Sequence, residues 1–311
     1  MRRALTIGLT FAVAVSWSPA RGQSQAETPE QFYQRLSEQQ QLPSAPVRSE
    51  GSGVTAQDVV FQSRTLDREM RYRVLLPASY GSAHRYYPVL YLLHGYMNTY
   101  YDWDKQTNLA RDLEKYDLIV VMPEFDNSFY LNSAGEPKDR YITYFFRDLT
   151  PDVERRFRAR TETPARAIAG VSMGGYGAML WALRYPQAFS FAADFSGSIN
   201  FARDAQMAEI LKPFDTVKLL GPDDSGTRKY GDIMALVPTL DASSLPYVWI
   251  TCGADDPLLK QNLDFAEGLR GRHIAFELHS APGGHAWVYW DGQLPSMLVA
   301  LARTMRLPEA R

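Results

Sequence analysis

The sequence predicts an α/β fold, with a mostly parallel central sheet, an antiparallel N-terminal hairpin and helices on both faces. Two observations predict it. From Asp58 onward, short apolar or β-branched runs alternate with segments of helical character, the rhythm of a doubly wound sheet. In addition, one strand-to-helix junction is compressed into Gly170-Val171-Ser172-Met173-Gly174-Gly175, a turn sharp enough to leave no room for a Cβ atom at Gly170 or Gly174.

The chain begins outside that pattern. Arg2-Arg3 precedes an uncharged apolar stretch from Ala4 to Trp17, followed by Ser18-Pro19-Ala20-Arg21-Gly22. A short apolar run with basic residues before it and small residues after it reads as a secretory signal peptide over 1–22. Cleavage falls after Gly22 or after Ala20, and the mature protein is expected to be secreted or periplasmic. Residues 23–56 are polar and rich in Gln, Ser and Pro, and read as a segment with one short helix near Thr28-Pro29-Glu30-Gln31, then a linker. The main α/β domain is expected over 57–311.

Within it, Val59–Ser63 and Tyr72–Leu76 flank a turn and read as the hairpin. Further strands are expected at 88–93, 118–123, 165–171, 190–195, 246–252 and 273–279, with helices between most of them. Leu149, Val153 and Phe157 share one face at helical spacing, which predicts a helix over 147–157. Residues 199–243 lack a clear period and read either as a small cap or as surface loops.

The compressed junction has the form G-x-S-x-G between an apolar strand and a long apolar helix, the context of a nucleophile elbow. Ser172 is the candidate nucleophile, and the N–H of Met173 points where an oxyanion would form. An acid and a histidine follow in chain order. The strand 247–252 ends in Gly253-Ala254-Asp255-Asp256-Pro257, and the strand 274–279 runs into Pro282-Gly283-Gly284-His285. Ser172, Asp256 and His285 are thus 84 and 29 residues apart, in the order of the α/β-hydrolase triad. Asp255 and Asp256 are both candidates for the acid, with helical entry at Pro257 only a supporting point for Asp256. The strand 87–93 ends in His94-Gly95-Tyr96, where this fold supplies a second oxyanion donor, expected from Tyr96, with His94 as a structural support of that loop.

These segments resemble the esterase family of α/β-hydrolases that includes feruloyl esterases, acetyl xylan esterase-like enzymes, S-formylglutathione hydrolases and mycolyl-transferring antigen 85 proteins. The resemblance rests on Tyr-Pro-Val-Leu-Tyr-Leu-Leu-His-Gly (87–95), Val-Val-Met-Pro-Glu (120–124), Gly-Val-Ser-Met-Gly-Gly-Tyr-Gly-Ala (170–178), Cys-Gly-Ala-Asp-Asp (252–256) and Pro-Gly-Gly-His-Ala-Trp (282–287). It implies an α/β-hydrolase fold, nucleophile Ser172, acid Asp256, base His285, and oxyanion amides at Met173 and Tyr96. The implied activity is a serine esterase acting on acetyl or feruloyl esters, with an acyltransferase as the alternative. Two departures concern substrate-facing loops. Ala286 stands where many members carry an acidic residue, and the loop after Gly95 lacks the glycine common there.

Other features bound the reading. Tyr100, Tyr101, Trp103, Phe125, Phe129, Tyr130, Trp287 and Tyr289 gather near these motifs, and with Gly95 are candidates to line a substrate pocket, ordinary packing being the alternative. The 311 residues are 45% hydrophobic with a net charge of −2, which gives no electrostatic case for nucleic acid or an anionic membrane. Past residue 22 no run approaches the ~20 apolar residues of a membrane span. Cys252 is the only cysteine, so no intrachain disulfide forms. Paired zinc-type histidines, a phosphate loop and a dinucleotide fingerprint are missing from the sequence, so no metal or other cofactor is expected.

Overall fold

The computed structural model describes residues 53–204 and 216–307. The predicted signal peptide, the polar segment as far as residue 52 and part of the 199–243 stretch lie outside the described residues. Eight strands form one sheet: β1 (Thr55–Ser63), β2 (Arg68–Leu76), β3 (Val89–Leu93), β4 (Ile119–Pro123), β5 (Arg166–Val171), β6 (Phe191–Phe195), β7 (Tyr247–Thr251) and β8 (Phe276–His279). Their order is β1-β2-β4-β3-β5-β6-β7-β8. β1 and β2 pair antiparallel, β2 joins β4 antiparallel, and every later pairing is parallel. This is the α/β-hydrolase fold with the expected hairpin edge.

The helices are α1 (Asp102–Gln106), α2 (Leu109–Asp112), α3 (Tyr141–Tyr144), α4 (Thr150–Arg156), α5 (Met173–Arg184), α6 (Thr216–Leu220), α7 (Gly226–Gly231), α8 (Ile233–Leu236), α9 (Leu259–Gly271) and α10 (Trp287–Met305). They cover both faces. Tyr91, Leu93 and Ile168 face one core with α5, whereas Leu90, Leu92, Ala167 and Ala169 face the other with α10. A strand covered on both sides buries every residue, which is why β3 and β4 read as unbroken apolar runs.

Four boundaries differ from expectation by three residues or more. β2 starts at Arg68 rather than Tyr72, because its ladder with β1 runs back to Ser63. β1 starts at Thr55, inside the expected linker, because its ladder with β2 continues to Leu76 through exposed residues that no apolar pattern marks. β8 starts at Phe276 rather than 273, since the turn at Arg272-His273 ends α9 and His273 takes a positive φ. The helix expected over 147–157 begins at Tyr141 and passes through a π-turn at Phe145–Leu149 before α4. Pro151 lies just beyond that turn. Its ring would collide with the carbonyl four residues earlier in a regular helix, and the wider π-turn relieves the conflict.

The stretch after residue 215 is partly built into the core. Leu220, Ile233, Val237 and Leu240 are buried, and the Tyr176 hydroxyl of α5 donates to the Gly231 carbonyl at 2.8 Å. Among the described residues, no helix is long and apolar enough to cross a membrane.

Candidate active site

The nucleophile elbow is built from backbone constraint. Ser172 joins β5 to α5 with φ 56° and ψ −112°, a conformation that costs an L-residue about 1–3 kcal/mol. The neighbours make it tolerable. A Cβ at Gly170 would overlap the backbone of Gly174, and one at Gly174 would sit 2.5 Å from the Leu93 carbonyl oxygen. Strand and helix therefore touch where only glycine fits. The Ser172 N–H donates to the Phe195 carbonyl at 2.8 Å, and its own carbonyl accepts from Tyr176 and Ser198. These bonds hold the strained residue from three sides.

Two loops at the carboxyl ends of β7 and β8 bring the other groups. They are tied together by Ala254 N–H to the Ala281 carbonyl and Asp255 N–H to the Gly283 carbonyl, each 2.9 Å. This pairing presents Asp256 and His285 to one another. His285 Nδ1 lies 3.0 Å from Asp256 Oδ2, and His285 Nε2 lies 2.9 Å from Ser172 Oγ. A carboxylate only accepts, so Nδ1 carries the proton and Nε2 is left to accept from the serine hydroxyl. All three residues are buried, with Ser172 keeping 6% of its surface. Asp255, the other candidate acid, is exposed and contributes only its backbone.

Burial raises the Asp256 carboxyl, but the His285 ring, the Leu258 N–H at 2.8 Å and the Ser196 hydroxyl together hold it below the usual carboxylate range. Ser196 and Trp290 complete this corner. The Trp290 Nε1–H donates to Ser196 Oγ at 3.1 Å, and the indole stands edge-on to the imidazole at 4.9 Å. Neither residue was singled out from the sequence. The signal was positional, for Ser196 follows β6 directly at the carboxyl end of the sheet, where open α/β sheets gather their sites.

On the other side of Ser172, Met173 opens α5, so its N–H belongs to the unpaired first turn of a helix. Gly95 packs against Val171, which brings the Gly95-Tyr96 backbone beside the elbow. His94 is buried beneath this loop. Its Nε2 accepts from the Phe125 N–H at 3.0 Å and its Nδ1 lies 2.8 Å from the Gly95 carbonyl. Glu124 joins it, accepting from the N–H groups of Tyr100 at 3.2 Å, Phe125 at 3.2 Å and Asp126 at 2.9 Å. Burial opposes its charge, yet His94 and these amides hold Glu124 below its ordinary value. A carboxylate at the end of β4 thus braces the loop after β3, a role the apolar run before it does not announce.

The aromatic candidates divide. Trp103 is buried, donates Nε1–H to the Leu93 carbonyl at 2.8 Å and packs on Phe195 and Trp287. Phe125 is buried among Tyr130, Tyr144 and Trp181. Trp287 packs between Trp103 and Trp290. These three rings are corrected from pocket walls to packing, because both faces of the sheet need large side chains under the site loops. Tyr100 is half-buried against Tyr101 on the rim. Tyr289 is buried with its hydroxyl 2.7 Å from Thr251 Oγ1. Among the described residues, no group of three His, Cys, Asp or Glu is placed to hold a metal ion. Cys252 is free and buried, and burial pushes its thiol well above the ordinary range.

The family model described as "Putative esterase" matches residues 63–301, a span that contains the elbow and both loops. The chain belongs to that family. An acetyl esterase of Caldicellulosiruptor saccharolyticus is 30% identical to this esterase over 220 residues, covering 65% of the chain and 78% of the relative. The diacylglycerol acyltransferase/mycolyltransferase Ag85C of Mycobacterium avium is 28% identical over 242 residues, covering 67% of the chain and 68% of the relative. Among solved structures, a ferulic acid esterase superposes with a TM-score of 0.70 at 25% identity, covering 81% of this esterase and 99% of that chain.

Proposed function

We propose that this esterase-family enzyme hydrolyses carboxylic esters through an acyl-enzyme carried on Ser172. The observation that supports it best is the unbroken, buried hydrogen-bond relay from Ser172 Oγ through His285 to Asp256, at 2.9 and 3.0 Å. In this reading His285 Nε2 takes the hydroxyl proton as Oγ attacks the ester carbonyl. The Met173 and Tyr96 amides receive the developing oxyanion, a contribution of about 3–4 kcal/mol per donor. The imidazolium then gives its proton to the departing alkoxide, and Asp256 holds the ring and stabilises its charge. Water, deprotonated by the same histidine, releases the acid and restores the serine.

The substrate reading is an acetyl or feruloyl ester on a polysaccharide. It is supported by similarity to an acetyl esterase and to a ferulic acid esterase structure. Export through the N-terminal segment fits such a substrate, and N-terminal sequencing of protein recovered outside the cytoplasm tests it. Ser172→Ala should abolish both turnover of p-nitrophenyl acetate and labelling by a fluorophosphonate probe, and activity retained by this variant would refute the assignment. A second reading, acyl transfer to a sugar or lipid hydroxyl, is favoured by similarity to the mycobacterial acyltransferase. Product analysis in the presence of competing alcohols separates the two.

A further inference from the structure

The loop after β4 runs over the same end of the sheet as Ser172. It encloses, with the start of β2 and with α6, a groove of about 320 Å3, at the lower end of the ~300–1,000 Å3 of small-molecule clefts. Its wall is polar and apolar in about equal measure and includes Arg68, Asp126, Asn127, Asp139, Tyr141 and Lys218. It adjoins the oxyanion loop directly, because Asn127 Oδ1 accepts the Met97 N–H at 2.8 Å and Met97 follows Tyr96.

We infer that this groove binds the hydroxyl-rich alcohol portion of the ester, a glycosyl unit, while its acyl carbon sits at Ser172. The inference rests on the esterase reading above. Charge balance carries the first step. Two cations face two carboxylates in the groove, so it selects neither anion nor cation. Rigidity carries the second. Arg68 is locked to Asp126 and reaches the Tyr141 hydroxyl at 2.6 Å, while Tyr141 also donates to Asp126. That triad forms a fixed wall.

Unused capacity carries the third step. Among the described residues, no protein hydrogen bond is seen to the half-buried Asp139 carboxylate or to the exposed Asn127 amide NH2, so both face solvent and are open to a ligand. One is a pure acceptor and the other a pure donor. A sugar hydroxyl donates and accepts at once and can join the two, whereas an acetyl or other alkyl acyl group would satisfy neither. In an acyl-transfer reaction the same groove would hold the accepting sugar.

The test compares acetylated xylotriose with p-nitrophenyl acetate in the full-length protein. Asp139→Ala and Lys218→Met, on separate segments, should each lower the ratio of kcat/KM for the sugar ester to that for p-nitrophenyl acetate at least tenfold, mainly through KM. Matching melting temperatures would show that both variants fold. A ratio unchanged within twofold in both variants overturns the inference. So does a wild-type protein that cleaves p-nitrophenyl acetate but not the sugar ester, an outcome that leaves the esterase reading standing. Should Ser172→Ala retain activity, the nucleophile assignment fails instead. The groove is then judged by calorimetric titration of xylotriose, where binding weakened by Asp139→Ala supports it and no binding overturns it.

Discussion

The nucleophile elbow and the loop after β4 both hold non-glycine residues at positive φ, but by different means. At the elbow a single serine is strained, and flanking glycines let strand and helix close around it. In the loop, Asp126, Phe129 and Tyr130 take φ of 47°, 47° and 59° with no glycine among them. Each costs about 1–3 kcal/mol. Distant contacts offset that cost: Phe129 stacks on Phe201 with ring centroids 3.4 Å apart, and the Tyr130 hydroxyl donates to the His94 carbonyl at 2.7 Å. The Tyr130 ring also lies edge-on to Trp181 and against Phe125. One region stores strain locally and advertises it in its glycines. The other is held by contacts with three other segments, those of Phe201, His94 and Trp181.

Substitutions sharpen this contrast. The largest effect belongs to the elbow, where Ser172→Ala or His285→Ala should lower kcat on p-nitrophenyl acetate by about 10⁴–10⁶-fold. Unchanged circular dichroism would show that chemistry, and not folding, was lost. Next come the two supports. Tyr130→Ala should destabilise the fold by about 3–5 kcal/mol in denaturant titration, by loss of a buried ring. Gly174→Ala should cost about 3 kcal/mol or more, because its clash is with backbone that cannot swing aside. Tyr130→Phe should cost only ~1 kcal/mol, the hydroxyl bond alone. A Tyr130→Ala variant of near wild-type stability would break the claim that packing supports the loop.

Glu124 links the regions, since its carboxylate ties Tyr100 of the loop after β3 to the loop after β4. Glu124→Gln leaves one accepting oxygen in place of two. It should lower kcat about tenfold, ~1.4 kcal/mol of barrier, with KM within twofold. A fall confined to KM would instead place Glu124 in substrate binding.

The smallest effect is in acid. Glu124 and Asp256 are each held below their ordinary values when folded. A depressed carboxyl adds stability that is complete above its unfolded value and fades as pH falls through its folded value. Melting temperature should therefore drop with pH below about 4.5, and Glu124→Gln or Asp256→Asn should each flatten that limb in a scan from pH 7 to 2.5.

Much of the site was legible before any coordinates. G-x-S-x-G between strand and helix signals itself because a sharp backbone turn restricts residue type at adjacent positions. Asp256 and His285 were legible through chain order and the turns after their strands; the family resemblance set Asp256 ahead of Asp255, and it is Asp256 that lies 3.0 Å from His285. Ser196, Trp290 and Glu124 were not, since a serine, an indole or a carboxylate at the end of an element satisfies many local environments equally. The rings at 103, 125 and 287 misled for the same reason, as an aromatic side chain near a site loop looks alike whether it faces solvent or core.

By itself, then, the sequence determined the order of elements, the hairpin edge, the elbow and the residues able to serve as nucleophile, acid and base. Those features are written in spacing, which the backbone reads over a few residues. Only the tertiary structure decided which carboxylate meets His285, which aromatics are packing and which polar side chains share a groove beside the loop after β3. Such choices depend on which distant segments the sheet brings together, and burial gives each contact a weight that no local pattern carries.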